Sequence, residues 1–155
     1  MKKVFVSLFG VAFILLLAFS ATMVISKIKD PITEPSVLIG GKLIKLEIAD
    51  TPAKRQTGLM ARKHLDSDRG MLFIFEEPQK PVFWMKDCYI SLDIIFIRGN
   101  NITGFYTSVP PCRSEPCDLY PAVELNDKVL EVNAGFIEKN NVKINDKVEF
   151  KGFKL

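Results

Sequence analysis

The chain has 155 residues, 48% of them hydrophobic and 25% charged, with a formal net charge of +3. With Lys2 and Lys3 set aside, 19 Lys and Arg face 18 Asp and Glu. So even a balance excludes the basic footprint of a nucleic-acid binder, and no nucleic-acid partner is expected.

Val4 to Ile25 is an uncharged, almost wholly apolar run of 22 residues flanked by Lys2, Lys3, Lys27 and Lys29. As a helix it would span about 33 Å, enough to cross a hydrocarbon core of roughly 30 Å. The run is therefore expected to act as a signal anchor that makes the membrane a partner through residues 4–25. A cleaved signal peptide is the alternative, because Ala18-Phe19-Ser20 offers small residues at a cleavage position. The expected organisation is an anchor or signal segment over 1–26, a short stalk over 27–36, and one domain over 37–155.

Val37-Leu38-Ile39 and Leu43 to Ile48, separated by Gly40-Gly41, read as a β-hairpin. Asp50 to Gly58 reads as a short helix, with Thr51 or Asp50 as cap, Pro52 in the first turn and Gly58 at the exit. Strands are predicted over Met71–Phe75, Val82–Cys88, Leu92–Ile97 and Ile102–Thr107, with a turn at Arg98-Gly99-Asn100-Asn101. Beyond the cysteine-bearing loop come a strand over Lys128–Val132, a helix over Ala134–Asn140 and a closing strand over Val148–Phe150. The predicted class is mainly β, a β-rich α+β domain. Its many short strands and two short helices suggest a small barrel or strongly coiled sheet.

Cys112 and Cys117 flank a Pro-rich loop that can bring their sulfurs together, and such a bridge persists only in an oxidising compartment. The alternative, a thiolate metal site, needs two further ligands from Cys88 and His64 alone. No metal and no cofactor is therefore expected. The disulfide favours a single-pass protein of the cytoplasmic membrane with its domain on the extracytoplasmic side, or a secreted or periplasmic one if the segment is cleaved.

Five residues stand out as ligand-binding candidates: Arg62, Trp84, Lys86, Asp87 and Asp93. Trp84 is the only Trp, and Lys86, Asp87 and Asp93 lie among residues that otherwise favour burial, where a charge must be paired or hydrogen-bonded. Strand alternation puts Trp84, Lys86 and Cys88 on one face. Arg62 suits a bidentate clamp on a carboxylate or phosphate, or an internal ion pair. Asp93 suits backbone N–H groups, a salt bridge to Arg62 or Lys86, or general-base chemistry. Cys88 is expected to be a buried, inert thiol and His64 an exposed loop residue.

Several segments together carry a resemblance: Thr51-Pro52, Gly58-Leu59-Met60 with Arg62, Gly70 to Phe73, Phe83-Trp84-Met85-Lys86, Leu92 to Phe96, and Pro110-Pro111-Cys112 with Cys117 and Tyr120. Over about Lys42 to Val148 the chain resembles the prokaryotic domain of unknown function 192 family. The resemblance implies a mainly β domain with a shared polar cluster, and it brings no activity. Asp87 stands where the family usually has Asn, Cys88 where it has Thr, and Ser91 where it has Pro. The function expected first is a module binding a small polar ligand or an envelope protein. The alternatives are a hydrolase using Asp93 or Asp87 with Lys86 or Arg62, and a purely structural polar cluster with an interaction surface elsewhere.

Overall fold

Two consecutive glycines start the domain's architecture. Gly40 and Gly41 both have positive φ, 54° and 72°, the conformation that a tight hairpin turn requires. They join β1 (Ser36–Ile39) to β2 (Lys42–Ala49), which pair antiparallel. The computed structural model describes residues 34–153. The apolar run over 4–25 lies outside the described residues, and no helix within them is long and apolar enough to cross a membrane.

After β2 the chain enters α1 (Pro52–Thr57) as expected. The Thr51 hydroxyl accepts from the Lys54 N–H at 3.3 Å, Pro52 occupies the first turn, and the Gly58 N–H closes the helix on the Lys54 carbonyl at 2.8 Å. The chain returns as β3 (Arg69–Gln79), which lies parallel to β2. There follow β4 (Val82–Trp84), β5 (Leu92–Arg98), β6 (Asn101–Val109), β7 (Leu119–Pro121), β8 (Asn126–Asn133), α2 (Phe136–Lys139) and β9 (Glu149–Lys151). Seven strands form one sheet in the order β6-β5-β8-β3-β2-β1-β9, curled into a half-barrel, while β4 and β7 form a separate two-stranded ribbon. The outermost strands of the large sheet approach each other. Asn101 bridges to Lys147, the Ile102 N–H donates to the Asp146 carbonyl at 3.0 Å, and the Val148 N–H to Asn100 at 2.9 Å.

Curling divides the apolar residues into two cores. Ile44, Leu72, Ile95, Ile97, Leu130, Val132, Phe136 and Ile137 fill the inner one. Met71, Phe73, Ile94, Phe96 and Val129, from the other face of the same strands, fill an outer core capped by Leu59, Met85 and Ala122. Strand β5 is buried on both faces, which explains its unbroken run Ile94-Ile95-Phe96-Ile97.

One expected boundary is corrected, and one strand is new. The strand predicted over Val82–Cys88 stops at Trp84, because Lys86 and Asp87 form a turn in which Asp87 has φ +56°. The left-handed conformation ends strand pairing, and Asp is one of the few non-glycine residues that adopt it readily. The three-residue strand β7 was not expected, since Leu119-Tyr120-Pro121 is short and holds a Pro.

Candidate functional site

The ribbon carries exposed apolar side chains next to polar groups. In its register Val82 faces Pro121, Phe83 faces Tyr120, and Trp84 faces Leu119. Alternation then sorts the side chains. Phe83 and Tyr120 turn inward and join a chain of edge-to-face aromatic contacts. Phe73–Phe83 centroids lie 4.9 Å apart, Phe83–Phe96 6.3 Å, Phe96–Tyr106 5.9 Å and Tyr106–Tyr120 5.2 Å. Val82, Trp84 and Leu119 turn outward and remain 56%, 43% and 62% exposed. A contiguous apolar patch on a ribbon whose inner side is locked in place is a common mark of a contact surface.

Lys86 completes this face. Its ammonium lies 5.5 Å from the Trp84 ring centroid and pairs with Glu115, in the loop closed by the Cys112–Cys117 disulfide. The hydrogen bond and charge of Glu115 hold the Lys86 ammonium above its ordinary range, and Lys86 holds the Glu115 carboxyl below its own. Trp84 and Lys86 are thus together, as expected. A turn brings them there rather than strand alternation.

The other candidates take different positions. Arg62 makes two parallel hydrogen bonds of 2.6 Å to the Glu47 carboxylate on β2, so its guanidinium fork is already occupied. Asp87 is exposed, and its carbonyl accepts from the Ala61 N–H at 2.8 Å. Asp93 is fully buried on the inner side of the sheet. Its carboxylate accepts from the N–H groups of Ser108 at 2.7 Å, Gly135 at 3.1 Å and Ile137 at 2.8 Å. The last two open α2, which has no capping side chain of its own, so Asp93 caps that helix from a neighbouring strand. The backbone role envisaged for Asp93 is the one the geometry displays. Neither Asp87 nor Asp93 borders the cleft described next.

Between the end of α1 and the ribbon lies a cleft of about 30 Å³, bordered by Leu59, Phe73, Phe83, Trp84, Cys88 and Glu131. Glu131 was not singled out from the sequence. It sits on β8 opposite Met71 and Ile94, pointing into the outer core, and is only 4% exposed. Burial pushes its carboxyl up to about 8, and burial is the sole cause: among the described residues no donor is bonded to it. Cys88 is buried beside it, and its thiol is pushed up to about 11, first by burial and then by the charges of Glu131 and Asp87. A thiol so far from ionisation is no nucleophile at neutral pH.

A wider open groove of about 850 Å³ runs past Lys42, His64, Asp66, Asp68, Asn133 and Lys139. Most of its polar groups satisfy one another. His64 meets Asp66 at 3.0 Å, Asp68 meets Lys45 at 3.2 Å, and the Asn133 amide donates to the Leu65 and Asp66 carbonyls. Among the described residues no group of three or more His, Cys, Asp or Glu is placed to hold a metal ion.

Sequence and structure comparisons agree on kinship. Residues 36–150 match the DUF192 family, described as an uncharacterized ACR. A crystal structure from Sinorhizobium meliloti 1021, described as a "putative transcription regulator", is 34% identical with a TM-score of 0.69, covering 77% of this chain and 95% of that one. A protein of unknown function from Novosphingobium aromaticivorans DSM 12444 is 31% identical with a TM-score of 0.68, covering 75% of this chain and 83% of its own. No curated protein matches the chain. Matched from its first described strand into its last, and sharing its fold with relatives a third identical in sequence, the chain belongs to the DUF192 family.

Proposed function

We propose that this domain is a binding module held on the outer face of the cytoplasmic membrane. It receives a small polar ligand, or an exposed chain segment of an envelope protein, on the face built by Val82, Trp84, Lys86 and Leu119. The observation that carries this reading is the only Trp of the chain standing 43% exposed on an ordered ribbon with an ammonium over its ring. Stacking surface and charge together suit a ligand with one apolar face and one polar group. The disulfide beside the face supports an oxidising compartment, and the apolar run over 4–25 supports the anchor. A hydrolase has no comparable observation in its favour, since the carboxylates named for it do not share a site.

The test is a thermal-unfolding screen of the full chain against peptides, sugars and small anions, run in parallel on Trp84→Ala. A ligand at one hundred times its Kd stabilises by about 3 kcal/mol, which raises Tm by roughly 10 °C for a domain of this size. The expected result is such a rise in the wild type and none in Trp84→Ala. A rise of equal size in the variant would move the site elsewhere.

A further inference from the structure

Glu131 is 4% exposed and lines the cleft, and no hydrogen-bonding or charged group among the described residues perturbs its carboxyl. Buried polar groups in folded proteins are nearly always hydrogen-bonded, and one that is not, yet borders an open cleft, is placed to receive a partner from outside. The cleft around it is otherwise aromatic and apolar, with Phe73, Phe83, Trp84 and Leu59 as walls. Aromatic faces and a carboxyl at one spot are the recognition elements for a cation. Arg55, at the mouth, does not compete for the carboxyl. Its guanidinium donates to the Asp50 and Ile74 carbonyls, each at 2.8 Å, and lies over the Phe75 ring.

Size narrows the choice. The cleft is narrow, with about 30 Å³ of accessible space, which suits the end of a slender side chain better than a sugar ring. The apolar walls suit methylenes, as they do for any lysine stem laid along an apolar surface.

We propose that the cleft beneath Trp84 takes the primary ammonium of a lysine-type side chain, presented by a peptide segment lying on the ribbon, with Glu131 as its counter-ion. The proposal rests on the binding face described above and names the group that face selects. Binding is coupled to a proton. Alone, the buried carboxyl is protonated at neutral pH, and it ionises when the ammonium arrives, releasing one proton to solvent while the ligand keeps its own. The groups packed against the carboxyl leave this titration to Glu131. From β3 and β5 come Met71, Phe73, Ile94 and Phe96, and from the ribbon Phe83 and Trp84, none of which titrates. Cys88 remains a thiol, the Arg55 guanidinium is engaged by the Asp50 and Ile74 carbonyls, and Asp87 lies outside the cleft.

The experiment uses the full chain and the fluorescence of Trp84, the only Trp. The probes are a short glycine peptide with one central lysine and the same peptide with that lysine acetylated. The lysine peptide is expected to saturate the signal, with affinity rising about tenfold between pH 6 and pH 7. Glu131→Gln should weaken it at least tenfold at pH 7, and the acetylated peptide, which carries no charge, should fail to saturate. Equal binding of the acetylated peptide, unchanged affinity in Glu131→Gln, or a flat pH profile in the wild type would each overturn the ammonium site. The pH profile needs no variant, so it decides the matter even if Glu131→Gln does not fold. Silence of the lysine peptide while other ligands still act through Trp84 would overturn this inference alone. Silence of every ligand would remove the binding face as well.

Discussion

Asp93→Asn is expected to lower the melting temperature by about 10 °C. Asp93 is fully buried and accepts three backbone N–H groups from three separate places, the end of β6, the residue before α2 and the first turn of α2. An Asn keeps one oxygen acceptor and turns an NH2 group toward at least one of those N–H donors. Donor then faces donor in a dry interior. Losing charge-assisted bonds and leaving N–H groups unsatisfied costs about 3 kcal/mol, and each kcal/mol moves Tm by roughly 3–4 °C in a domain of this size. Lys86→Met is the control. Its partner Glu115 is solvent-exposed, so Tm should stay within about 2 °C of the wild type. If Asp93→Asn melts like the wild type, the carboxylate does not hold α2 to the sheet.

Glu131→Gln is expected to remove a pH dependence that the wild type carries. The folded carboxyl titrates near 8 against an ordinary 4.5 in the unfolded chain. Between those values the folded state holds a proton that the unfolded state has released, so stability falls as pH rises from about 4.5 and levels off above about 8. Measured by urea unfolding, the wild type should lose on the order of 3 kcal/mol more than Glu131→Gln between pH 5 and pH 8. The comparison is one of slopes, because the Gln amide has its own burial cost, which does not vary with pH. Parallel profiles would mean that Glu131 is charged and solvated in the folded protein. The same slope supports the ammonium site, since a partner cation at Glu131 would restore the stability lost at higher pH.

Much of the fold was legible because local chemistry and tertiary structure agree. The Gly40-Gly41 hairpin, the cap-Pro-Gly pattern around α1, and the apolar runs of β3 and β5 all appear where expected. Strand Val82–Cys88 was overrun because alternation continues past Trp84, while the turn is set by the left-handed backbone of Asp87. Strand β7 was missed because a three-residue strand has no periodicity of its own and exists by pairing with β4.

The polar residues divide along similar lines. Trp84 and Lys86 are near in sequence and remain near in space. Arg62 found Glu47 and Asp93 found α2, and both choices depend on strands brought together from distant parts of the chain. Glu131 was invisible for a related reason. In Lys128-Val129-Leu130-Glu131-Val132 the two charges are three residues apart and fall on opposite faces, so alternation singles out neither as buried. Only the place of β8 between β5 and β3, with covering layers on both sides, turns Glu131 into a buried group. Lys128 was overlooked likewise. Its side chain is 5% exposed, and its ammonium is held by Asp127 and the Gly99 carbonyl over the Phe150 ring.

The most direct test of the binding face is amide chemical-shift mapping of the full chain with a saturating ligand from the thermal screen. Shifts concentrated at Trp84, Lys86, Cys88, Leu119 and Glu131 are the expected result, and would place the ligand on the ribbon and its cleft. Shifts concentrated at Lys42, Asp66, Asn133 and Lys139 would place it in the open groove and contradict the ribbon as the recognition surface.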